Sequence, residues 1–215
     1  MKNRFDLIIF DWDGTLINSI DWIAGCIQRS AERCGFATPD YQATKNVIGL
    51  SIERAMQTLL PEADEDTQHQ LVTNYAEEYF SKQLSRADFF PGVYDMLVQL
   101  QQTGYQLAVA TGKTRAGLAQ ALHATDTKDL FAVTRCADET QSKPHPKMLE
   151  EIIEVTGIAP ARALMVGDSI HDLQMALNAQ ISSVGVLCGA NSEAFLQQYN
   201  PLVCLSQPTE LLNLI

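Results

Sequence analysis

Two rhythms of apolar residues divide this chain. Phe5-Asp6-Leu7-Ile8-Ile9-Phe10 is an apolar run of strand length, too short for a buried helix. From Ile17 to about Phe90 the spacing is helical. Ile20, Ile23, Ala24, Ile27, Ala31 and Cys34 share one face, and Gly35 closes that helix. Ser51 to Leu60 reads as a short helix with Ser51 at its N-cap and Pro61 beyond its end. Asp64 or Asp66 opens a longer acidic helix through Tyr75, Tyr79 and Phe80, and no convincing strand occurs in this region. Phe89-Phe90-Pro91-Gly92 is a turn signal, after which strands and helices alternate. A helix carrying Tyr94, Leu97 and Leu100 stops at Gly104, and Gln106–Thr111 is a strand. Arg115–His123 is a helix, Phe131–Cys136 a weaker strand, and Pro146–Val155 a helix ended by Gly157. Ala163–Gly167 is a strand followed by a short helix through Leu173 to Leu177, and Ser183–Leu187 and Leu202–Leu205 complete the series.

Strands that alternate with helices predict an α/β fold with a doubly wound parallel sheet, because right-handed crossovers place helices on both faces. The helical stretch interrupts that pattern after the first strand and returns to it. It therefore reads as an all-helical cap, residues 17–89, inserted into an α/β core of residues 1–16 and 90–215. A chain of 215 residues suits one large domain carrying such an insertion.

Charge narrows the choice of partner. The 15 basic residues against 26 acidic ones give a formal net charge of −11, which argues against nucleic acid or an anionic membrane as partner. An anionic small molecule would have to be drawn in locally, by a cation and a few placed basic groups. Five scattered cysteines (Cys26, Cys34, Cys136, Cys188, Cys204) contain no CxxC pair, so reduced thiols are expected rather than disulfides or zinc. Met1-Lys2-Asn3-Arg4 leads directly into the first strand without a signal peptide, and no apolar run reaches membrane-spanning length. The expectation is a cytoplasmic protein, monomeric or weakly dimeric.

The candidate chemistry sits just past the strand ends, where open α/β sheets bind ligands. Asp11-Trp12-Asp13-Gly14-Thr15-Leu16 follows the first strand, and its turn can aim two carboxylates and several backbone N–H groups at one point. Thr111-Gly112-Lys113 follows the second strand, where a hydroxyl and free N–H groups at a helix start can hold an anionic oxygen. In Ser142-Lys143-Pro144-His145-Pro146 the proline restricts the lysine to extended geometry, which sets the direction of a cation. Gly167-Asp168-Ser169-Ile170-His171-Asp172 brings two more carboxylates, four residues apart. Like charges about 4 Å apart cost roughly 4 kcal/mol per pair at an effective dielectric near 20, so such a cluster needs a compensating cation or protons.

In order and spacing these four motifs resemble the haloacid dehalogenase-like superfamily of phosphohydrolases, across essentially the whole chain. Ile48-Gly49-Leu50-Ser51 and Phe90-Pro91-Gly92 look like its phosphoglycolate phosphatase-like branch. The resemblance implies a phosphatase acting on a small phosphomonoester. Asp11 would be the nucleophile that forms an aspartyl-phosphate, and Asp13 the acid for the leaving oxygen and then the base for water. That role requires a proton on Asp13 at the right moment, which burial beside other carboxylates would favour. It also implies Mg²⁺, held by the Asp11 carboxylate, the Asp13 carbonyl and Asp168, with Asp172 near it or orienting Lys143. Lys143 and Thr111 would hold phosphoryl oxygens, joined by backbone N–H groups around Trp12, Asp13 and Gly112. The Trp12 side chain is expected to help shape the pocket. Arg54, near the Gly49-Leu50-Ser51 turn, could reach a second anionic group, whereas His145 and His171 read as exposed loop residues.

A phosphosugar mutase shares this machinery and differs in shielding the phosphoenzyme from water. A halide-displacing relative is disfavoured, since it needs no metal cluster and no second carboxylate at Asp13. A phospho-aspartate signalling receiver also joins acidic residues, Thr and Lys, but would lack the helical insertion and an acid two positions after the nucleophile.

Overall fold

A computed structural model describes residues 4–215. Met1, Lys2 and Asn3, read above as leading into the first strand, lie outside the described residues. Six strands form one sheet: β1 (Leu7–Phe10), β2 (Gln106–Thr111), β3 (Val133–Cys136), β4 (Ala163–Gly167), β5 (Ser182–Val186) and β6 (Cys204–Leu205). Their order is β3-β2-β1-β4-β5-β6, and all the pairings are parallel. The central strand β1 pairs Phe10 with Val109 on one side and with Val166 on the other. Residues just past β1, β2 and β4 therefore emerge together at the carboxyl edge of the sheet.

The alternation of side chains along each strand builds two separate cores. Ile8, Phe10, Leu107, Val109, Leu164 and Val166 face one side. There they meet Val93, Met96 and Leu97 of helix α5 (Val93–Gln102) and Leu118 and Ala121 of α6 (Arg115–Thr125). Leu7, Ile9, Ala108, Ala110 and Met165 face the other side. They pack on Met148, Leu149 and Ile152 of α7 (Lys147–Thr156) and on Met175 and Ala176 of α8 (Ile170–Asn178). A sheet buried on both faces explains why its inner strands read as continuous apolar runs.

Between β1 and β2 lie α1 (Ile20–Arg33), α2 (Tyr41–Val47), α3 (Ile52–Leu59) and α4 (Glu65–Ser81). They share an apolar cluster of their own, in which Ile23, Ile27, Val47, Ala55, Met56 and Leu71 are buried together. Capping agrees with the sequence at two helix starts. The Ser51 hydroxyl accepts from Arg54 N at 3.4 Å, and the Asp64 carboxylate accepts from Thr67 N at 2.9 Å.

Helix α2 was not anticipated. Only Thr44 and Val47 of its seven residues are buried, too few for a stripe, and its signal is the cap at Asp40, which accepts from Ala43 N at 2.9 Å. The third and last strands are shorter than expected. Phe131 enters the core ahead of β3, and β6 holds only Cys204 and Leu205. All five cysteines are unpaired, with Cys26 and Cys136 buried. Among the described residues no helix is long and apolar enough to cross a membrane.

Candidate active site

Asp11 is the first residue past β1 and continues the strand by donating its N–H to Val166 O at 2.9 Å. Asp11 is 2% exposed, and carboxylate oxygens of Asp11, Asp168 and Asp172 lie within 4.8 Å of one another. Lys143 has no exposed surface, and its Nζ lies 2.7 Å from Asp11 Oδ1 and 2.6 Å from Asp172 Oδ1. The contact to Asp11 is an ion pair without hydrogen-bond alignment, so Asp11 Oδ1 has no aligned donor although it is buried.

Helix α8 fixes Asp172 and, through it, Lys143. Ser169 is its N-cap, and the Asp172 carboxylate reaches back to Ser169 N at 3.1 Å and to its hydroxyl at 2.6 Å. This reciprocal cap leaves Asp172 Oδ1 for Lys143. Asp168 Oδ1 accepts from the Thr15 hydroxyl, and its Oδ2 accepts from Ala190 N, both at 2.7 Å. Gly14, at φ +78°, lies so close that a Cβ there would collide with Asp168.

Burial drives the acids upward. Desolvation raises Asp11 well above the usual carboxylate range, against the opposing pull of Lys143, with Asp172 and Asp168 adding repulsion. Asp168 is pushed up to about 7 by burial and by the Asp172 charge, while the Thr15 hydrogen bond draws it back. Lys143 is raised by Asp11 and Asp172, which outweigh its own loss of solvent.

Asp13 departs from expectation. The crowd of carboxylates foreseen around it gathers at Asp11 instead, and Asp13 turns toward a cation. Its Oδ1 accepts from the Ser19 hydroxyl at 2.7 Å, and its Oδ2 meets Lys113 Nζ at 2.8 Å. Lys113, which drew no role in the sequence, is buried and donates as well to the Tyr79 hydroxyl of α4. Its signal was position alone, two residues after Thr111. Ser142 went unnoticed for a similar reason: its hydroxyl accepts from Ser51 N at 2.8 Å and ties the helical insertion to the core.

The remaining assignments divide. Thr111 is buried beside the site, and its hydroxyl accepts from Lys113 N at 3.3 Å. The Trp12 side chain corrects the expectation: it is fully buried in the sheet core with its ring centroid 6.0 Å from Phe89 and 6.1 Å from Phe131, so it does not shape the pocket. Arg54 is exposed and does not line the cavity described below. His171 is also corrected, because it sits in the first turn of α8, half-buried, with Nε2 donating to Asn46 O at 2.9 Å. His145 is exposed.

Gly112 marks where the insertion meets the sheet edge. A Cβ there would lie 2.6 Å from Gly49 O and would collide with Leu50 O. Gly112→Ala is therefore expected to push the Gly49-Leu50 turn off the core, raising KM several-fold with a smaller effect on kcat. Steady-state kinetics on the variant check this, and an unchanged KM would count against a closed insertion as the binding-competent form.

Asp11, Asp13, Thr111 and Lys113 line one end of a cavity of about 130 Å³ between core and insertion. Convergent carboxylates, a buried lysine and a hydroxyl at the carboxyl ends of parallel strands define a site for anionic, oxygen-rich chemistry. Residues 8–186 match the haloacid dehalogenase-like hydrolase family, and the chain belongs to it. It is 26% identical to the pyrophosphatase PpaX of Bacillus cereus (strain G9842), over 99% of this chain and 97% of that protein. It is 28% identical to a phosphoglycolate phosphatase of Nitrosococcus oceani, covering 100% of this chain and 98% of the relative. A solved β-phosphoglucomutase of Clostridium difficile superposes with a TM-score of 0.84 at 17% identity, over 96% of this chain and 93% of that one. Likeness at that identity carries the fold and not the reaction. The chain is a phosphatase of this family, similar to its phosphoglycolate phosphatase-like branch.

Proposed function

We propose that the protein is a Mg²⁺-dependent phosphatase that hydrolyses a small phosphomonoester through an aspartyl-phosphate on Asp11. The observation that carries this reading is the buried Asp11 carboxylate, with one oxygen free of any aligned donor, facing Lys143 among two further acids. Asp11 attacks phosphorus, and the bond to the leaving oxygen breaks as the Asp11–phosphorus bond forms. Asp13 gives that oxygen its proton. A water molecule then attacks the phosphoenzyme, Asp13 takes a proton from it, and phosphate departs with Asp11 restored. Lys113 is shared between two tasks: the arriving phosphate competes for its charge and frees Asp13 to move protons. Lys143 holds Asp11 in line, and Thr111 with the N–H groups near Gly112 offers donors to phosphoryl oxygens. Residues 1–16 and 90–215 carry this chemistry, while 17–89 form the cap that covers it and excludes water.

The donor set suits a divalent cation. Four acids against Lys113 and Lys143 leave two formal negative charges, on hard oxygen ligands of the type magnesium prefers. The Asp11 and Asp168 carboxylates and the Asp13 carbonyl would hold the ion, with Asp172 beside it. When bound, the ion supplies positive charge that offsets the carboxylates and the phosphoryl oxygens.

Removing metal with a chelator is expected to abolish phosphate release from a simple ester, and magnesium to restore it. Thermal melting gives an independent readout. Asp11 and Asp168 have raised folded values, so the stability their protonated forms contribute is present at low pH and is lost as pH rises toward 7 and beyond. The melting temperature should therefore gain more from magnesium near pH 8 than near pH 5. Phosphate release undiminished in chelator, with no magnesium-dependent shift, would refute the reading.

A further inference from the structure

The cavity that receives the leaving group is apolar away from its catalytic end. Ile23 and Ile27 of α1, Ile52 of α3, and Val72, Tyr75 and Ala76 of α4 line it. Among the described residues that line it, Lys113 is the one cation, and its ammonium is engaged by Asp13 and Tyr79. Glu53 adds a negative charge to the lining, and Arg54, the cation nearest in sequence, is exposed outside it. A leaving group that carries a carboxylate or a second phosphate would surrender its hydration there without finding a free cation, with only neutral hydroxyls such as those of Tyr75 and Thr114 in the lining. Phosphoglycolate and pyrophosphate, after which the two relatives are named, both make that demand.

We infer that the protein acts on the phosphate monoester of an apolar alcohol, aryl or short alkyl, whose hydrocarbon part fills the cavity between α1, α3 and α4. This rests on the phosphatase reading above and specifies its substrate class. Size sets the upper limit. An apolar protein cavity of about 150 Å³ takes one benzene ring, and the cavity of about 130 Å³ includes its catalytic end, so a phenyl group or a chain of roughly four to six carbons is the largest hydrocarbon part it takes. Specificity of this kind grows with buried methylenes. Each is worth about 0.8 kcal/mol, or roughly fourfold in kcat/KM.

The test measures phosphate release with saturating magnesium from methyl, butyl, hexyl and phenyl phosphate, and from phosphoglycolate, glucose 6-phosphate and pyrophosphate. The expected order places butyl, hexyl and phenyl phosphate at least about tenfold above methyl phosphate and above every substrate with a charged or sugar leaving group. Calorimetry with hexylphosphonate and 3-phosphonopropionate, which cannot turn over, should show the same preference in binding. Ala76→Phe places a ring in the cavity and should collapse the ratio of hexyl to methyl turnover toward one. Phosphoglycolate or pyrophosphate turned over as well as hexyl phosphate would overturn the inference and leave the phosphatase reading intact. Silence with every ester would overturn both.

Discussion

Asp11→Asn is expected to leave a folded protein that turns over phosphomonoesters at least about 10⁴-fold more slowly than the parent, the usual scale for loss of a nucleophile. An amide of the same shape cannot attack phosphorus, so the loss falls on kcat rather than on KM. Stability should move the other way. The Asp11 carboxylate is raised because burial and the charges of Asp172 and Asp168 oppose its ionisation, which means that the charged form costs folding energy at neutral pH. The variant discards that charge, although it also forfeits the ion pair with Lys143 at 2.7 Å. Because Lys143 keeps Asp172 as a partner at 2.6 Å, the lysine is not orphaned, and metal-free Asp11→Asn should melt no lower than the metal-free parent near pH 8. Phosphate release and circular dichroism melts on one preparation check both halves. Turnover within tenfold of the parent would remove Asp11 from the chemistry. Loss of the folded state would show that its role is structural.

What the amino-acid pattern revealed, and what it concealed, follows from how each feature arises. β1, β2 and β4 were legible because both faces of the sheet are buried, which turns whole strands apolar. The turns after them were legible because Asp11 and Asp13, Thr111 and Lys113, and Asp168 and Asp172 recur together at three strand ends, a combination that turn geometry alone does not require. Asp168 and Asp172 were readable as a pair four residues apart, and the reciprocal cap with Ser169 shows why that spacing serves the fold as well as the site. Contacts between distant segments, whether inside the core or between the insertion and the sheet, were not legible. Lys113 meeting Asp13 and Tyr79, Ser142 meeting Ser51, and His171 meeting Asn46 each join residues far apart in sequence. No local period encodes such contacts. Trp12 misled for a related reason. It stands between two site acids, but a residue between two others in a strand-end turn points to the opposite side, and there lies the core against Phe89 and Phe131.

Lys143→Met should be the most destabilising single change at this site, and pH should reveal why. The ammonium is fully buried, and its loss leaves the Asp11, Asp168 and Asp172 carboxylates within 4.8 Å of one another with no cation between them. Removing one partner of a buried ion pair costs about 3–5 kcal/mol. The parent's lysine has a raised folded value, so its contribution is complete below its unfolded value near 10.5 and does not vary between pH 5 and pH 8. The variant behaves differently, because its stranded acids can take up protons as pH falls. The stability deficit, measured by urea unfolding without metal, should therefore be largest near pH 8 and shrink near pH 5. Magnesium should recover part of it by supplying the missing charge, without restoring activity. A double-mutant cycle separates charge from shape. If Lys143 acts through its charge, adding Asp172→Asn to Lys143→Met should regain stability, whereas Asp172→Asn alone should lose it. If the lysine only fills space, the two changes should simply add, and the deficit should be the same at both pH values.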